Sequence, residues 1–394
     1  MRVAFQLIGG GYWTGGLNYL VNLLSALAES EDKSIKPILF VGTDQNEKDI
    51  AAVLPYLSEP PIRAELWNHG TMQHKLRLFR GVLLQRDYLA EQAFHAAKID
   101  LVFQHSAWYG ARFGIPTLAW IADFQHRYLP DLFSKLRYWK REVGYHALVR
   151  AATRILVSSE DAASDCKRFY PAVAERVSVM PFAPQLIPAK SAKVLAEVSA
   201  KYFLPKKFFY LPNQFWKHKN HLALIEALYV LKARGESVLI VASGNLQDNR
   251  HPDYPQSILN KAVEYGLENN FVFLGLIPRV DIAPLMQLSI GVINPSLFEG
   301  WSTTVEEAKT LGVPLLLSDI KVHREQAPSV VRYFDASNPS AIADALLSAW
   351  KEWCPGPRPS EESAAAILTR QRRTEFSQRF ILIAQLTIAA NGKK

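Results

Sequence analysis

The chain has 394 residues, more than one ordinary domain holds, so two domains of roughly 200 residues each are expected. Hydrophobic residues make up 49% and charged residues 21%, enough to build real cores and to exclude bulk disorder. The net charge of +8 points to anionic partners such as nucleotides or phospholipid headgroups; the basic residues are dispersed and form no known nucleic-acid-binding signature, so nucleic acid is not expected.

The opening MRVAFQLIGGGYWTGG contains a short apolar run, Arg2–Ile8, that reads as a strand and not as a signal peptide. A glycine loop, Gly9–Gly16, leads into a helix at 17–28 with Leu20, Leu23, Leu24 and Leu27 at helical spacing. Further strands are expected at 37–42, 101–104, 117–122 and 154–158. Between 177 and 204 the pattern loosens around Pro181, Pro184, Pro188 and Pro205, with an Ala/Lys/Ser-rich helix between them, which marks a linker at 186–204 between domains at 1–185 and 205–375. The alternation then restarts with strands near 208–211, 237–242, 271–274, 290–294 and 314–318, separated by helical stretches. The tail, EFSQRFILIAQLTIAA, reads as an amphipathic helix. Strands alternating with helices imply an α/β chain of two doubly wound parallel sheets.

Cys166 and Cys354 are far apart and form no metal or disulfide pattern, which suits a reducing cytoplasm. No stretch approaches the roughly 18 consecutive apolar residues that a membrane-spanning helix needs. The stretches HKLRLFRGVLLQR and KLRYWKREVGYHALVR mix cations with large apolar residues. Each is either a helix lying on an anionic membrane surface or a solvated helix whose apolar side, such as Leu132, Leu136, Trp139 and Val143, faces the core.

The segment INPSLFEGWSTTVEE, residues 293–307, carries the strongest chemical pattern. A strand ends at Asn294, and a loop containing Gly300 leads into a helix beginning near Thr304. Thr303 and Glu306 have the spacing of a capping box, and a helix N-terminus so placed attracts a diphosphate. Glu299 before the helix and Glu307 one turn inside it can each accept hydrogen bonds from hydroxyls. An ordinary capped helix with a solvated glutamate gives the same pattern.

The longer run SLFEGWSTTVEEAKTLGVPLLLSDIKVHRE resembles the donor-site signature of the retaining glycosyltransferases of family 4, over about 30 residues in register. Its hallmark is the pair Glu299 and Glu307, flanked here by Pro295, Ser296, Gly300, Ala308, Gly312, Pro314, Ser318 and Asp319. The resemblance implies the GT-B fold, two Rossmann-like domains facing across a cleft, with the last helix, 376–394, packing back on the N-terminal domain. It also implies roles. Glu299 would bind hydroxyls of the transferred sugar and Glu307 the ribose; Gly300, Trp301 and Ser302 would touch the sugar, while Thr303 and Thr304 would offer N–H groups to the diphosphate.

Three further segments bear on that reading. In YLPNQFWKHKN, Lys217 and Lys219 precede a helix, a place for a diphosphate or merely a solvated helix start. The family usually carries Gly-Arg and then Lys-Gly here; Lys219 matches the lysine, but Asn213 and Gln214 stand where the arginine is expected. In GGGYWTGG, Gly15 and Gly16 are the residues that the resemblance places against the donor phosphate, unless the turn serves no ligand. In WIADFQHRYLP, relatives carry His-Asp; this chain has Ala122-Asp123, with His126 next. Asp123 and His126 either line the acceptor pocket, with His126 assisting the acceptor hydroxyl, or are structural.

No D-x-D triplet occurs in the sequence, so no metal cofactor is expected, and basic residues with helix N-termini would hold the leaving diphosphate. The resulting expectation is transfer of a hexose or deoxyhexose, with retention, from a GDP- or UDP-linked sugar to a glycan or lipid-linked acceptor. The setting expected is bacterial surface polysaccharide assembly, in the cytoplasm or at the inner face of the plasma membrane. A sugar-nucleotide epimerase or phosphorylase, or a noncatalytic nucleotide-sugar-binding subunit, would use the same fold.

Overall fold

Runs of Val, Ile, Leu and Phe that are buried on both faces become parallel strands, each returned to the sheet by a helix. The structure, a computed structural model, describes residues 1–10, 13–248 and 250–391, without the side chain of Gln73. It divides into two units: Met1–Phe124 with Lys135–Gln185 and the chain from Gln371 onward, and Gln125–Ser134 with Leu186–Arg370.

The sheet of the first unit contains β1 (Arg2–Gln6), β2 (Lys36–Val41), β3 (Ile62–Arg63), β4 (Leu101–Gln104), β5 (Thr117–Ile121), β6 (Arg154–Val157) and β7 (Val177–Val179). Their order is β3-β2-β1-β4-β5-β6-β7, all parallel, with Phe5 opposite Leu39 and Leu118 opposite Arg154. The helices of this half are α1 (Thr14–Glu29), α2 (Glu47–Val53), α3 (Met72–Leu84), α4 (Tyr88–Ala96), α5 (Gln125–Tyr128, which groups with the second unit), α6 (Lys135–Ala151) and α7 (Glu160–Phe169).

The second unit contains β8 (Phe209–Leu211), β9 (Ile240–Ala242), β10 (Phe271–Phe273), β11 (Gly291–Asn294), β12 (Leu315–Ser318) and β13 (Val331–Phe334), in the order β10-β9-β8-β11-β12-β13. Its helices are α8 (Ala192–Lys201), α9 (His221–Ala233), α10 (Tyr254–Glu264), α11 (Arg279–Leu288), α12 (Thr303–Thr310), α13 (Lys321–Gln326) and α14 (Pro339–Glu352). In both sheets the strand order reverses beside the first strand, at β1/β4 and at β8/β11. Loops leaving the carboxyl ends of such a strand pair splay apart and leave a crevice, where open α/β sheets hold ligands.

Several sequence expectations shift. The helix expected within 186–204 is α8, whose Leu195 and Val198 are buried, and the stretch groups with the second unit instead of standing apart as a linker. Residues 125–134, expected within the N-terminal domain, also group with the second unit. The final helix, α15, starts well before 376 and runs unbroken over Pro359–Asn391. Strands β3, β7 and β13 escaped notice because they are short and half-exposed, so their residues mix apolar and polar types.

The two basic, apolar-rich helices are the largest surprise. Leu132 is buried, but Leu136, Trp139 and Val143 of α6 point outward, and so do Met72, Leu76, Phe79 and Leu83 of α3. Among the described residues no helix is long and apolar enough to cross a membrane.

In the first unit, the end of α15 delivers Phe376 and Phe380 into the core. Phe380 lies 6.0 Å from Phe5 and 5.9 Å from Phe103, ring to ring, with all three fully buried. Phe380→Ala should therefore destabilise this unit by about 3–5 kcal/mol. Urea unfolding measures it, and a loss below about 1 kcal/mol would contradict this packing.

Candidate functional site

At the switch point of the second unit, the exits of β8 and β11 meet through their amides: Asn213 Nδ2 donates to Asn294 Oδ1 at 3.3 Å. Asn294 ends β11, fully buried, and is the centre of a polar cluster. Its Nδ2 donates to Ser302 Oγ at 2.7 Å and lies 3.5 Å from both Glu299 Oε1 and His323 Nε2. Ser296 Oγ is 2.6 Å from Asn294 Oδ1 and 2.7 Å from Glu299 Oε1, so its one proton serves either acceptor in turn. His323 Nδ1 donates to the Ser318 carbonyl at 2.9 Å. That bond leaves Nε2 as an acceptor toward Asn294, and burial holds the ring's pKa below the ordinary value, so it is neutral.

Glu299 leaves this cluster toward Lys219, whose Nζ donates to Oε1 at 2.5 Å. Both side chains are largely buried. Burial alone would raise the carboxyl pKa, but the ammonium beside it outweighs burial and brings it down to about 2. Glu299 is thus ionised throughout the physiological range. Lys219 ends the short 3₁₀ turn Lys217–Lys219, which places its ammonium inward. Lys217, at the start of the same turn, is exposed, and the structure does not bring its side chain into the cluster.

The loop from Glu299 descends into α12. The helix cap is Ser302, whose Oγ accepts from Val305 N at 3.4 Å, so the expected box on Thr303 is shifted by one residue. Glu306 is buried between Lys309 Nζ and Gln326 Nε2, both at 2.9 Å, and Gln326 also bonds the Ser302 backbone. Thr303 is therefore the first helical residue, and with Thr304 it belongs to the turn whose backbone N–H groups have no helical acceptor. Thr304 Oγ1 donates to Asn213 Oδ1 at 3.2 Å, tying α12 to the β8 exit. Gly300 and Trp301 are half-buried in the connecting loop. Gln214 accepts from Asn245 N at 2.8 Å; beside it a Cβ on Gly244 would lie 2.2 Å from the Asn213 carbonyl oxygen, so only glycine lets β9 exit this close.

Glu307, one turn further along α12, accepts from Arg279 Nη2 at 2.9 Å. Here burial wins: its carboxyl pKa is raised despite the arginine, because Arg279 is itself mostly solvated. Glu299 and Glu307 therefore differ in charge affinity although their sequence contexts look alike.

Sequence reasoning missed three groups beside these. Asn294 and His323 lie inside the signature segment but were read only as a strand end and flanking sequence. Arg250 sits beside the Lys217–Lys219 turn: its Nη2 is 3.4 Å from His218 Nδ1 and its Nη1 donates to Gln125 Oε1 at 3.2 Å. It brings a guanidinium near the turn whose expected arginine is replaced by Asn213 and Gln214. No local motif marks it, since only folding brings residue 250 to residue 218. His218 itself is buried, which with the nearby Lys219 charge holds it neutral.

The first unit builds its switch point from rings. Trp13, His105 and Trp120 cluster at centroid distances of 5.1 to 6.2 Å, the two indoles stacked and the imidazole tilted against both, and His105 Nδ1 bonds the Trp120 carbonyl. Burial brings the His105 pKa down to about 4. Gly15 and Gly16 lie in the first turn of α1, not in an open loop. A Cβ on Gly16 would meet the Trp13 ring at 2.7 Å, and one on Gly15 the indole nitrogen at 3.1 Å. The indole thus fills the space that a side chain would need at both positions. Gly11 and Tyr12 of the same loop lie outside the described residues. Asp123 pairs with Arg141 at 2.8 Å within this unit, whereas His126 belongs to the second unit and is fully buried.

The fold places the chain beside GT-B glycosyltransferases. Anabaena HepE, solved with UDP and glucose, superposes with a TM-score of 0.69 at 15% identity, over 97% of this chain and 98% of that one. At that identity the likeness is one of fold, and the fold is GT-B, with two Rossmann-like domains. Residues 196–366, the stretch that holds Lys219, Asn294, Glu299 and Glu307, match the family model described as glycosyl transferases group 1. Among curated relatives, the serotype-specific mannosyltransferase WbdA of Escherichia coli is 28% identical over 230 residues, 56% of this chain and 26% of the relative. The O-antigen chain mannosyltransferase B of Escherichia coli is 24% identical over 234 residues, 57% of this chain and 59% of the relative. The chain thus spans about a quarter of the first relative's length and less than two thirds of the second's.

The charge state of Glu299 has a measurable consequence. A carboxyl held near 2 in the folded state and near 4.5 unfolded contributes stability above pH 4.5 that is lost as the pH falls toward 2. The contribution is on the order of 3 kcal/mol. Denaturant titrations across that window should show a shallower acid loss for Glu299→Gln than for the native chain; parallel curves would contradict the ionised pair.

Proposed function

We propose that this chain is a retaining glycosyltransferase that moves a mannosyl or closely related hexosyl residue from a GDP- or UDP-linked donor to a hydroxyl of a surface glycan of the O-antigen type. The Glu299–Lys219 pair at the capped end of α12 carries the reading. It puts an ionised hydroxyl acceptor and a cation side by side where helix N–H groups gather. The relatives named as mannosyltransferases support the sugar and the setting, and the group 1 match supports the reaction class.

In this reading Glu299 accepts hydrogen bonds from the sugar hydroxyls, with Gly300, Trp301 and Ser302 supplying the loop around the ring. The N–H groups of Thr303 and Thr304 and the ammonium of Lys219 receive the diphosphate. Glu307 holds the ribose hydroxyls, and Asn213 and Gln214 keep the β8 exit in register. The bond from the sugar C1 to the phosphate oxygen breaks with its electron pair passing to the diphosphate. The acceptor oxygen bonds C1 from the same face, and its proton passes to the departing diphosphate oxygen. Charge development falls on the diphosphate, where fixed dipoles and a cation act most strongly. No metal is required by this scheme, so transfer should persist undiminished in EDTA.

A thermal-shift series with GDP, UDP, ADP and dTDP tests the donor site. One of GDP or UDP at about a hundredfold over its Kd should raise the melting temperature by about 5 °C or more; no shift from any nucleotide overturns the reading. Glu299→Ala should lower transfer of labelled sugar to a glycan acceptor at least about a hundredfold. A converted sugar nucleotide formed without acceptor would assign an epimerase instead, and nucleotide binding with no turnover on any acceptor a binding subunit.

A further inference from the structure

Helix α3 is built inside out. A surface helix of a globular domain normally turns its apolar stripe inward and its charges to water. In α3 the side facing the protein carries Arg77, whose side chain is only 11% exposed. Its Nε lies 3.1 Å from the buried carboxylate of Asp87, its guanidinium stacks 5.5 Å from the Trp67 ring, and it also bonds the Leu66 carbonyl. Thr71 caps the helix through His74 N. The opposite side presents Met72, Leu76, Phe79 and Leu83 at 69%, 51%, 61% and 66% exposure. Their spacing of four, three and four residues makes one continuous ridge along the helix. The orientation is therefore held by a specific ion pair and cap, and the apolar ridge is displayed by construction.

The charges around the ridge select what covers it. Lys75 and Arg80 are exposed on its two flanks, and the helix contains no aspartate or glutamate. Helix α6 of the same unit repeats the pattern, with Leu136, Trp139 and Val143 at 79%, 62% and 65% exposure and Lys135, Lys140 and Arg150 exposed beside them. A protein partner needs complementary carboxylates at fixed positions, and a second copy of this chain would bring like charges together. A bilayer with anionic headgroups accepts apolar side chains into its interface while its phosphates meet the flanking cations, whose long stems reach outward.

We propose that α3 is a membrane-docking helix that lies in the plane of an anionic phospholipid surface, with Met72, Leu76, Phe79 and Leu83 inserted and Lys75 and Arg80 at headgroup level. The proposal is independent of the reaction assigned to the second unit. Co-sedimentation of the whole chain with vesicles tests it, comparing pure phosphatidylcholine with a mixture rich in phosphatidylglycerol. The chain should pellet with the anionic vesicles and be released by high salt. Lys75→Gln with Arg80→Gln should weaken that partitioning about thirtyfold, and Leu76→Ser with Phe79→Ser and Leu83→Ser should abolish it. These side chains are exposed, so the melting temperature and nucleotide binding of both variants should stay unchanged. Equal pelleting with neutral vesicles, or partitioning that the variants do not alter, overturns the proposal. So does a dimer in light scattering that the serine variant dissociates, because the ridge would then be an interface between copies.

Discussion

The candidate site depends on one ion pair: a carboxylate and an ammonium, Glu299 and Lys219, held 2.5 Å apart and largely out of water. Such a pair is a poor device for stability, since desolvating two charges costs about as much as their attraction returns, and an apolar pair of the same volume often does better. Its value lies in geometry. It forces the β8 exit and the β11 exit to a fixed separation, and Asn294, Ser296, Ser302 and His323 saturate the surrounding polar atoms so that neither charge can relax away. A polar ligand arriving there meets an ionised acceptor and a cation already in place, with little reorganisation left to make.

The two units apply the same strand-order rule to different chemistry. In the second unit the β8/β11 crevice is lined by amides, a carboxylate and a cation. In the first, the β1/β4 crevice is lined by Trp13 and His105, backed by Trp120 and Tyr19, whose rings lie 3.9 Å apart. Aromatic faces suit a flat or weakly polar ligand surface, whereas the charged cluster suits phosphates and hydroxyls. His105 and His218 are both kept neutral by burial, so neither adds a positive charge to its crevice near neutral pH. Among the described residues, Lys219 lies at the second crevice and Arg250 lies beside it across the buried His218.

Much of the second unit was legible beforehand because its strands are central, buried and bounded by turn residues, which is where apolar runs are least ambiguous. The edge strands β3, β7 and β13 were not, since their half-exposed residues carry no distinct pattern, whereas β10, also at an edge, was legible at 271–274. The glutamates were legible through their spacing, but the cap was misplaced by one residue: Ser302, Thr303 and Thr304 are all competent caps, and Asn294 decides among them by bonding Ser302 Oγ. That the Trp13 indole fills the space a side chain would need at Gly15 and Gly16 could not be seen from the loop's sequence. Arg250 had no local signal at all.

By itself, the sequence determined the alternation of elements, the two parallel sheets and the acidic pair Glu299 and Glu307, because these follow from short-range periodicity and from a contiguous motif. Tertiary structure decided the rest. It settled that one glutamate is pulled down to about 2 by Lys219 while the other is raised by burial, since a carboxyl responds to neighbours up to 80 residues away in the chain. It also decided which way α3 and α6 turn their apolar ridges. A helical stripe has the same period whether it faces a core or the outside; the contacts of Arg77 show which for α3, and the exposure of Leu136, Trp139 and Val143 shows it for α6.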